Sequence, residues 1–405
     1  MTASVRPLSR PGPLVAMLAL ACFVTAALAC YWDRDTLRAE ATGLESVIET
    51  ITGRFDRFPP LYYEMRLDRI SAIADEDLAL SDYDDAGVAA DRLGRSDEAI
   101  AWMDRKRSAL DELAEADVEH EYRYLANLGT FYVHRWIGGG ADRDDLADLE
   151  RSRDLIAAAI ELNPDAHFGR ERYQLLAIDW LIELPEPDAS VPTIFDSAET
   201  LSESDSGELR MRFAGQDVLN RNGFGDAAEG VGGLIRLGAA WSSVDIHQAL
   251  ALALHDRGLG PVSLLAKLRV EELRENGEVS FHPAIAAELN GYYFAAGHGV
   301  YYEEDVAAWF SEARDEADGW QMARNAYFMK RAALGRHPDT EPEFWEDWVS
   351  PSEPPEMPGN FLGMTWGQAV ALNAVMALLG YVVLPIVSIV GFIRWLRRRL
   401  RARAA

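Results

Sequence analysis

Residues 369–393 form a run of twenty-five amino acids without a charge, and six arginines follow within the last twelve positions. At 1.5 Å per residue, a helix of that length spans roughly 37 Å, enough to cross a ~30 Å hydrocarbon core with some tilt. Asn373 and Pro385 are tolerable inside it, and Trp366 and Trp395 stand at its ends, where indoles favour the membrane interface. The arginines direct the C-terminus to the cytoplasm, because basic residues are retained on that side. The run therefore predicts a transmembrane helix over 367–395, a cytoplasmic tail over 396–405 and a lipid bilayer as one partner.

A second run, 14–29, has sixteen apolar residues preceded by Arg6 and Arg10 and ends in Ala27-Leu28-Ala29. This is the three-part plan of a secretory signal, with an apolar stretch short for a spanning helix. Residues 1–29 read as a signal peptide cleaved to leave Cys30 first, with an uncleaved signal anchor as the alternative. In a lipoprotein reading Cys30 would carry the lipid, but Ala27 stands where a lipobox favours Leu. The Pro-rich stretch 351–366 reads as a linker. It also suits a surface-sorting tail, but 361–368 lacks the motif such tails carry. With Cys22 inside the signal, Cys30 is alone in the mature chain, so no internal disulfide can form.

The two ends and the middle differ sharply in charge. The chain of 405 residues carries 66 acidic and 39 basic residues, a net charge of −27. No Asp or Glu occurs before Asp33 or after Trp366, while eight arginines lie in those ends. The middle is left with 31 basic against 66 acidic residues, a balance of −35. Such a surface excludes nucleic acid, whose phosphates need a basic face. It favours a partner with a basic surface. At 49% hydrophobic and 10% aromatic residues overall, the chain has the material for a packed core and is no disordered acidic tract.

Between Tyr31 and Gly359, Leu, Ala and aromatic residues recur at spacings of three and four, and two-residue alternation is nearly absent. The pattern predicts an all-α domain over 30–350 with about fifteen helices. Pro59-Pro60, 138–140, 185–187 and 230–233 punctuate it.

One stretch is more specific. Tyr83 and Gly87 are followed by Leu93-Gly94, then Asp97-Glu98-Ala99 and Trp102. This resembles a tetratricopeptide repeat, in which small residues let two antiparallel helices approach and a glycine permits the turn between them. A second unit carries Leu128-Gly129 and Tyr132, then Ser152, Ile156 and Ala159, and ends at Asn163-Pro164. Its internal link is longer than the family's by some eleven residues and holds Gly138-Gly139-Gly140. In a third unit, Ala251, Gly258 and Ser263 repeat the spacing of the first. The units lie near 80–113, 121–164 and 243–276, and the gap before the third implies an irregular superhelix with an insertion.

The segments Cys30-Tyr31-Trp32-Asp33-Arg34-Asp35-Thr36-Leu37, Pro60-Leu61-Tyr62-Tyr63-Glu64-Met65-Arg66 and Asn163-Pro164-Asp165-Ala166-His167-Phe168-Gly169-Arg170-Glu171 also resemble a group of secreted or membrane-anchored bacterial repeat proteins. That likeness implies a bacterial envelope location and an architecture, and no chemistry.

In such repeats the first helices line a concave face. The expected groove residues are Asp84, Asp91 and Arg92 of the first unit, Arg123, Thr130 and His134 of the second, and Gln248, His255 and Asp256 of the third. The face is polar with mixed charge, suited to holding a peptide by hydrogen bonds and ion pairs, or else an ordinary solvated face. The Lys, Asn and Arg set with which some repeats clamp a C-terminal carboxylate is missing.

A second candidate is His167, Arg170 and Glu171, whose spacings put them on one face of a helix opened by Asn163-Pro164. They suit an anion site or acid–base work, or a network that locks the helix start. Asp33 and Asp35 near Cys30 offer too few oxygens for a hard cation. The eight histidines show no zinc spacing, so no metal or other cofactor is expected. His247 and His255 lie eight apart and can share a helix face. The glycines of 223–230 lack a phosphate-loop pattern and read as a hinge or loop. Tyr62-Tyr63 and the aromatics of 292–294 and 301–302 read as core. Together these features predict a membrane-anchored extracytoplasmic helical scaffold that binds a protein or peptide and is not an enzyme. The alternative is an envelope enzyme or small-ligand-binding protein with its site near His167, Arg170 and Glu171, or in the region 223–299.

Overall fold

The computed structural model describes residues 47–164, 169–184, 193–199, 201–202, 205, 215–282 and 303–356. The signal segment, Cys30, Asp33, Asp35, His167, the aromatics of 292–294 and 301–302, and the expected membrane helix and Arg-rich tail lie outside these residues. Among the described residues there are twelve α-helices, three short 3₁₀ turns and no strand, so the chain is all-α. No described helix is long and apolar enough to cross a membrane.

The helices are α1 (Val47–Thr52), α2 (Pro60–Ser71), α3 (Leu80–Arg92), α4 (Ser96–Asp111), α5 (Val118–Gly138) and α6 (Ala147–Leu162). After them come α7 (Arg170–Glu183), α8 (Val218–Arg221), α9 (Ala227–Arg236), α10 (Val244–Asp256), α11 (Gly260–Glu275) and α12 (Glu303–Ala332). Two compact units divide the chain, Met1–Gly297 with Phe310–Pro355 and His298–Trp309 with Glu356–Ala405. Of the second unit the described part is the first turns of α12 and Glu356, whose carbonyl accepts the Trp309 indole N–H at 3.2 Å. The rest concerns the first unit.

Consecutive helices pack as hairpins, most extensively α5 on α6, α3 on α4 and α10 on α11. The reason lies in small residues at the contacts. A Cβ on Gly87 would stand 2.9 Å from the Met103 methyl, and one on Gly129 would stand 2.8 Å from the Ile156 Cδ1. Ser152 donates its hydroxyl across the hairpin to the Gly129 carbonyl at 2.6 Å, and Ser263 does the same to Ala251 at 2.8 Å. Gly94, at φ +72°, makes the turn between α3 and α4, a left-handed conformation that glycine adopts without Cβ strain.

Tyr62, Tyr83, Trp102, Met103 and Phe131 are buried in one hydrophobic core, joined there by Phe328 of α12 and by Phe344. Tyr63 belongs to the same core.

Asn163 is the C-cap of α6, so that helix ends where the sequence expectation put its end. The helix expected to be opened by Asn163-Pro164 differs, since α7 starts at Arg170, behind Gly169 at φ +73°. The stretch 223–230 is not wholly a loop, because α9 starts at Ala227 and contains Gly230, Gly232 and Gly233. Two of these glycines serve packing: a Cβ on Gly230 would lie 2.2 Å from the Tyr173 ring, and one on Gly233 would lie 2.4 Å from the Arg170 Cδ.

Candidate functional site

The C-terminal end of α3 and the last turns of α5 face the segment that follows α9. Between them lies a cavity of about 330 Å³. Asp91 and Arg92 come from α3, His134 and Ile137 from α5, and Arg236 and Trp241 from the α9 end and the turn after it. The chain between α1 and α2 supplies Phe55, Asp56, Arg57 and Phe58. The volume sits at the small end of the ~300–1,000 Å³ typical of ligand pockets.

Each polar wall group has a local cause for its position. The Asp91 carboxylate accepts Ser96 Oγ at 3.2 Å and makes a short contact with His134 Nδ1, tying the first hairpin to the second. Arg92 donates to the Leu237 carbonyl at 3.3 Å, tying α3 to the chain after α9. Asp56 accepts two bonds from Arg324 of α12, at 2.7 and 2.9 Å.

Arg57 stands differently. Its guanidinium lies 4.3 Å from the centre of the Trp241 ring and 5.2 Å from that of Phe55. Asp318 is its nearest carboxylate, at 3.9 Å. Its Nη1 is buried and meets no hydrogen-bond partner among the described residues.

Behind Trp241 the positive charge is concentrated. Arg269 lies 3.8 Å and Arg314 5.5 Å from the same ring, and both pair with Glu272. Burial, then the nearby Arg314 and Arg269, push the Arg57 guanidinium down to about 10, against the pull of Asp318 and Glu272. Cation–π contact with the electron-rich indole face offsets part of the cost of gathering three guanidiniums.

His247 of α10 packs edge-on to Trp241, with 5.8 Å between ring centres, and its Nδ1 lies 2.8 Å from the Ser243 carbonyl. Burial, and next the charge of Arg269, hold it down to about 3. The unfolded chain therefore takes up a proton below about pH 6.5 that the native state refuses until about pH 3. Stability carried by neutral His247 is complete above pH 6.5 and is lost as pH falls through that window, by on the order of 1.4 kcal/mol per pH unit. Its neighbour Asp245 has the opposite sign. Burial raises it from 3.8 to about 6, so it opposes His247 between those values. In denaturant melts, His247→Asn is expected to gain stability relative to the parent as pH is lowered from about 6.5 towards 3. A constant difference between the two across that range would refute the assignment.

Of the nine residues expected along the groove, Asp91, Arg92 and His134 converge on this cavity. Asp84 is interior, bonded to Lys106 at 2.6 and 2.8 Å and to Asn127 at 3.0 Å. Thr130 is also interior and accepts the Gln174 amide at 3.0 Å. Arg123 bonds Glu119 of its own helix at 2.9 Å. Gln248, His255 and Asp256 are buried on α10. The Asp256 carboxylate accepts the Val218 and Leu219 N–H groups at 2.9 Å each and so holds the start of α8.

Arg170 and Glu171 are both buried at the start of α7. No group of three His, Cys, Asp or Glu able to hold a metal occurs among the described residues.

Sequence reasoning missed Arg57, Arg236 and Trp241. The available signal was modest: an Arg between Phe55 and Phe58, and a lone Trp in a small-residue stretch. No protein-family model matches the chain, and no curated protein or solved structure matches it either.

Proposed function

We propose that this chain is a helical scaffold that binds a protein or peptide partner at the face where α3 and α5 meet the segment after α9. The observation that carries this reading is the convergence of Asp91, Arg92 and His134, from two successive hairpins, on one cavity lined by charged and aromatic side chains. Mixed charge beside aromatic surface is the composition of recognition sites. The hairpins α3–α4, α5–α6 and α10–α11 are taken as tetratricopeptide-like units in an irregular superhelix. The charge split of the sequence supports anchorage in a bacterial cell membrane through 367–395, with the acidic domain outside the cytoplasm. That acidity attracts a partner with a basic surface.

A photo-crosslinking side chain at Gly138, an exposed cavity-lining position with open space around its Cβ, tests this in the native envelope. A specific partner is expected from Gly138 and not from the exposed Leu334. Capture should weaken as salt rises from about 0.1 to 1 M, where screening shortens from ~10 to ~3 Å. Equal labelling from both positions, or indifference to salt, would sink the reading.

A further inference from the structure

We propose that the cavity beside Trp241 binds an oxyanion, a carboxylate or phosphate carried on a compact apolar body, with Arg57 as its principal contact and Arg92 and Arg236 alongside. The proposal does not require the partner to be a protein.

Three lines of geometry converge on it. First, the cavity is cationic within an acidic domain. It presents Arg57, Arg92 and Arg236 against Asp56 and Asp91. Both carboxylates are already engaged, Asp56 by Arg324 and Asp91 by His134 and Ser96. Second, Arg57 is under-neutralised where it stands. Its Nη1 is buried with no hydrogen-bond partner among the described residues, and its nearest carboxylate oxygen is 3.9 Å away. Third, Arg269 and Arg314 gather around the same indole ring and engage Glu272 and Asp318. Asp318, the nearest carboxylate to Arg57, is thus held more closely by Arg314, at 2.9 Å. An incoming anion would supply the missing countercharge at the part of the Arg57 side chain that lines the cavity, the covered Nη1 staying behind it, and charge-assisted contacts are the stronger kind.

The remaining walls describe the rest of the ligand. Phe55, Phe58, Tyr63, Ile137, Ile235 and Trp241 line the cavity. Aromatic and aliphatic surface of this kind favours a flat apolar group, and about 330 Å³ is room enough for at least one ring. Arg57 is fixed in place by its contacts with the Trp241 and Phe55 rings. It is therefore preorganised for such a ligand and loses little side-chain freedom on binding.

Calorimetric titration of the full chain in detergent micelles tests this with benzoate, phenyl phosphate, inorganic phosphate and phenol. Benzoate or phenyl phosphate should bind, the tighter of the two identifying the anion, while phenol binds at least tenfold more weakly. Arg57→Met should weaken binding by about ten- to a hundredfold, and Arg57→Lys by less, because the positive charge is retained. Arg257→Met, which alters an exposed pair with Glu229, should leave binding unchanged. Arg236→Met gives a second reading of the cavity should Arg57→Met fail to fold. Equal affinity for phenol and benzoate, unaltered binding in Arg57→Met and Arg236→Met, or no binding of either anion at millimolar concentration would overturn the proposal. Loss of partner crosslinking with anion binding intact would overturn the scaffold reading alone.

Discussion

Asp339→Ala should lower the free energy of unfolding by roughly 3–5 kcal/mol, the cost of leaving a buried charge without its counterion. Arg66 of α2 is fully buried, and the Asp339 side chain is 1% exposed. The carboxylate accepts Arg66 Nε at 2.8 Å, Arg66 Nη2 at 2.7 Å and Arg69 Nη2 at 2.9 Å. Arg66 also bonds the Tyr62 hydroxyl at 2.7 Å. Without Asp339 the Arg66 guanidinium stays in the core without this carboxylate, while its bond to the Tyr62 hydroxyl remains. The chain after α12 would lose one tie to α2 and keep another at His337, whose Nε2 lies 3.0 Å from the Tyr62 carbonyl. Denaturant unfolding of the parent and variant measures the difference. A change under about 1 kcal/mol would place the pair in the class of solvated surface bridges, contrary to its burial.

Asp84→Ala is expected to cost a similar amount, roughly 3–5 kcal/mol. Lys106, also fully buried, donates both of its short bonds to this carboxylate. Burial pushes the Lys106 ammonium below its ordinary value, against the pull of Asp84. The double variant Asp84→Leu with Lys106→Met should regain most of the loss, since an apolar pair of similar volume avoids both desolvation costs. A double variant as unstable as Asp84→Ala would refute that account. The same experiment separates two roles for Asp84. A groove residue would change partner capture and leave stability alone, whereas the interior residue seen here changes stability.

Much of the fold was legible in the residues. Spacings of three and four predicted helices, and helices are what forms. Gly87 and Ala99 predicted close helix contact; a Cβ on Gly87 would crowd the partner helix, and Ala99 is fully buried. Gly94 predicted a turn, and its φ of +72° requires one. These features are local, set within one hairpin by sterics that neighbouring residues encode.

The candidate site was legible only in part. Periodicity placed Asp84, Asp91, Arg92, Thr130 and His134 on first helices, but not under what each would lie. Asp84 and Thr130 are covered by Lys106 and Gln174, while Asp91 and His134 reach the cavity. A helical repeat specifies direction, and burial depends on whichever element arrives from elsewhere. Likewise, the glycines of 230–233 read as a break because glycine is a poor helix former. Packing of α9 against the Tyr173 ring and the Arg170 side chain overrides that preference.

By itself, the sequence determined the helical class, the hairpins with their glycine turns, and a charge distribution that separates an acidic middle from basic, apolar ends. Each follows from composition and short-range spacing, which need no knowledge of distant neighbours. Tertiary structure alone decided which polar residues are committed to the interior and which face the cavity. Arg66 meets Asp339 across 273 positions and Arg324 meets Asp56 across 268. Trp241 gathers Arg57, Arg269 and Arg314 from three separate parts of the chain. Those encounters arise when apolar faces pack and bring remote charges into a medium that makes their pairing, or its lack, matter energetically.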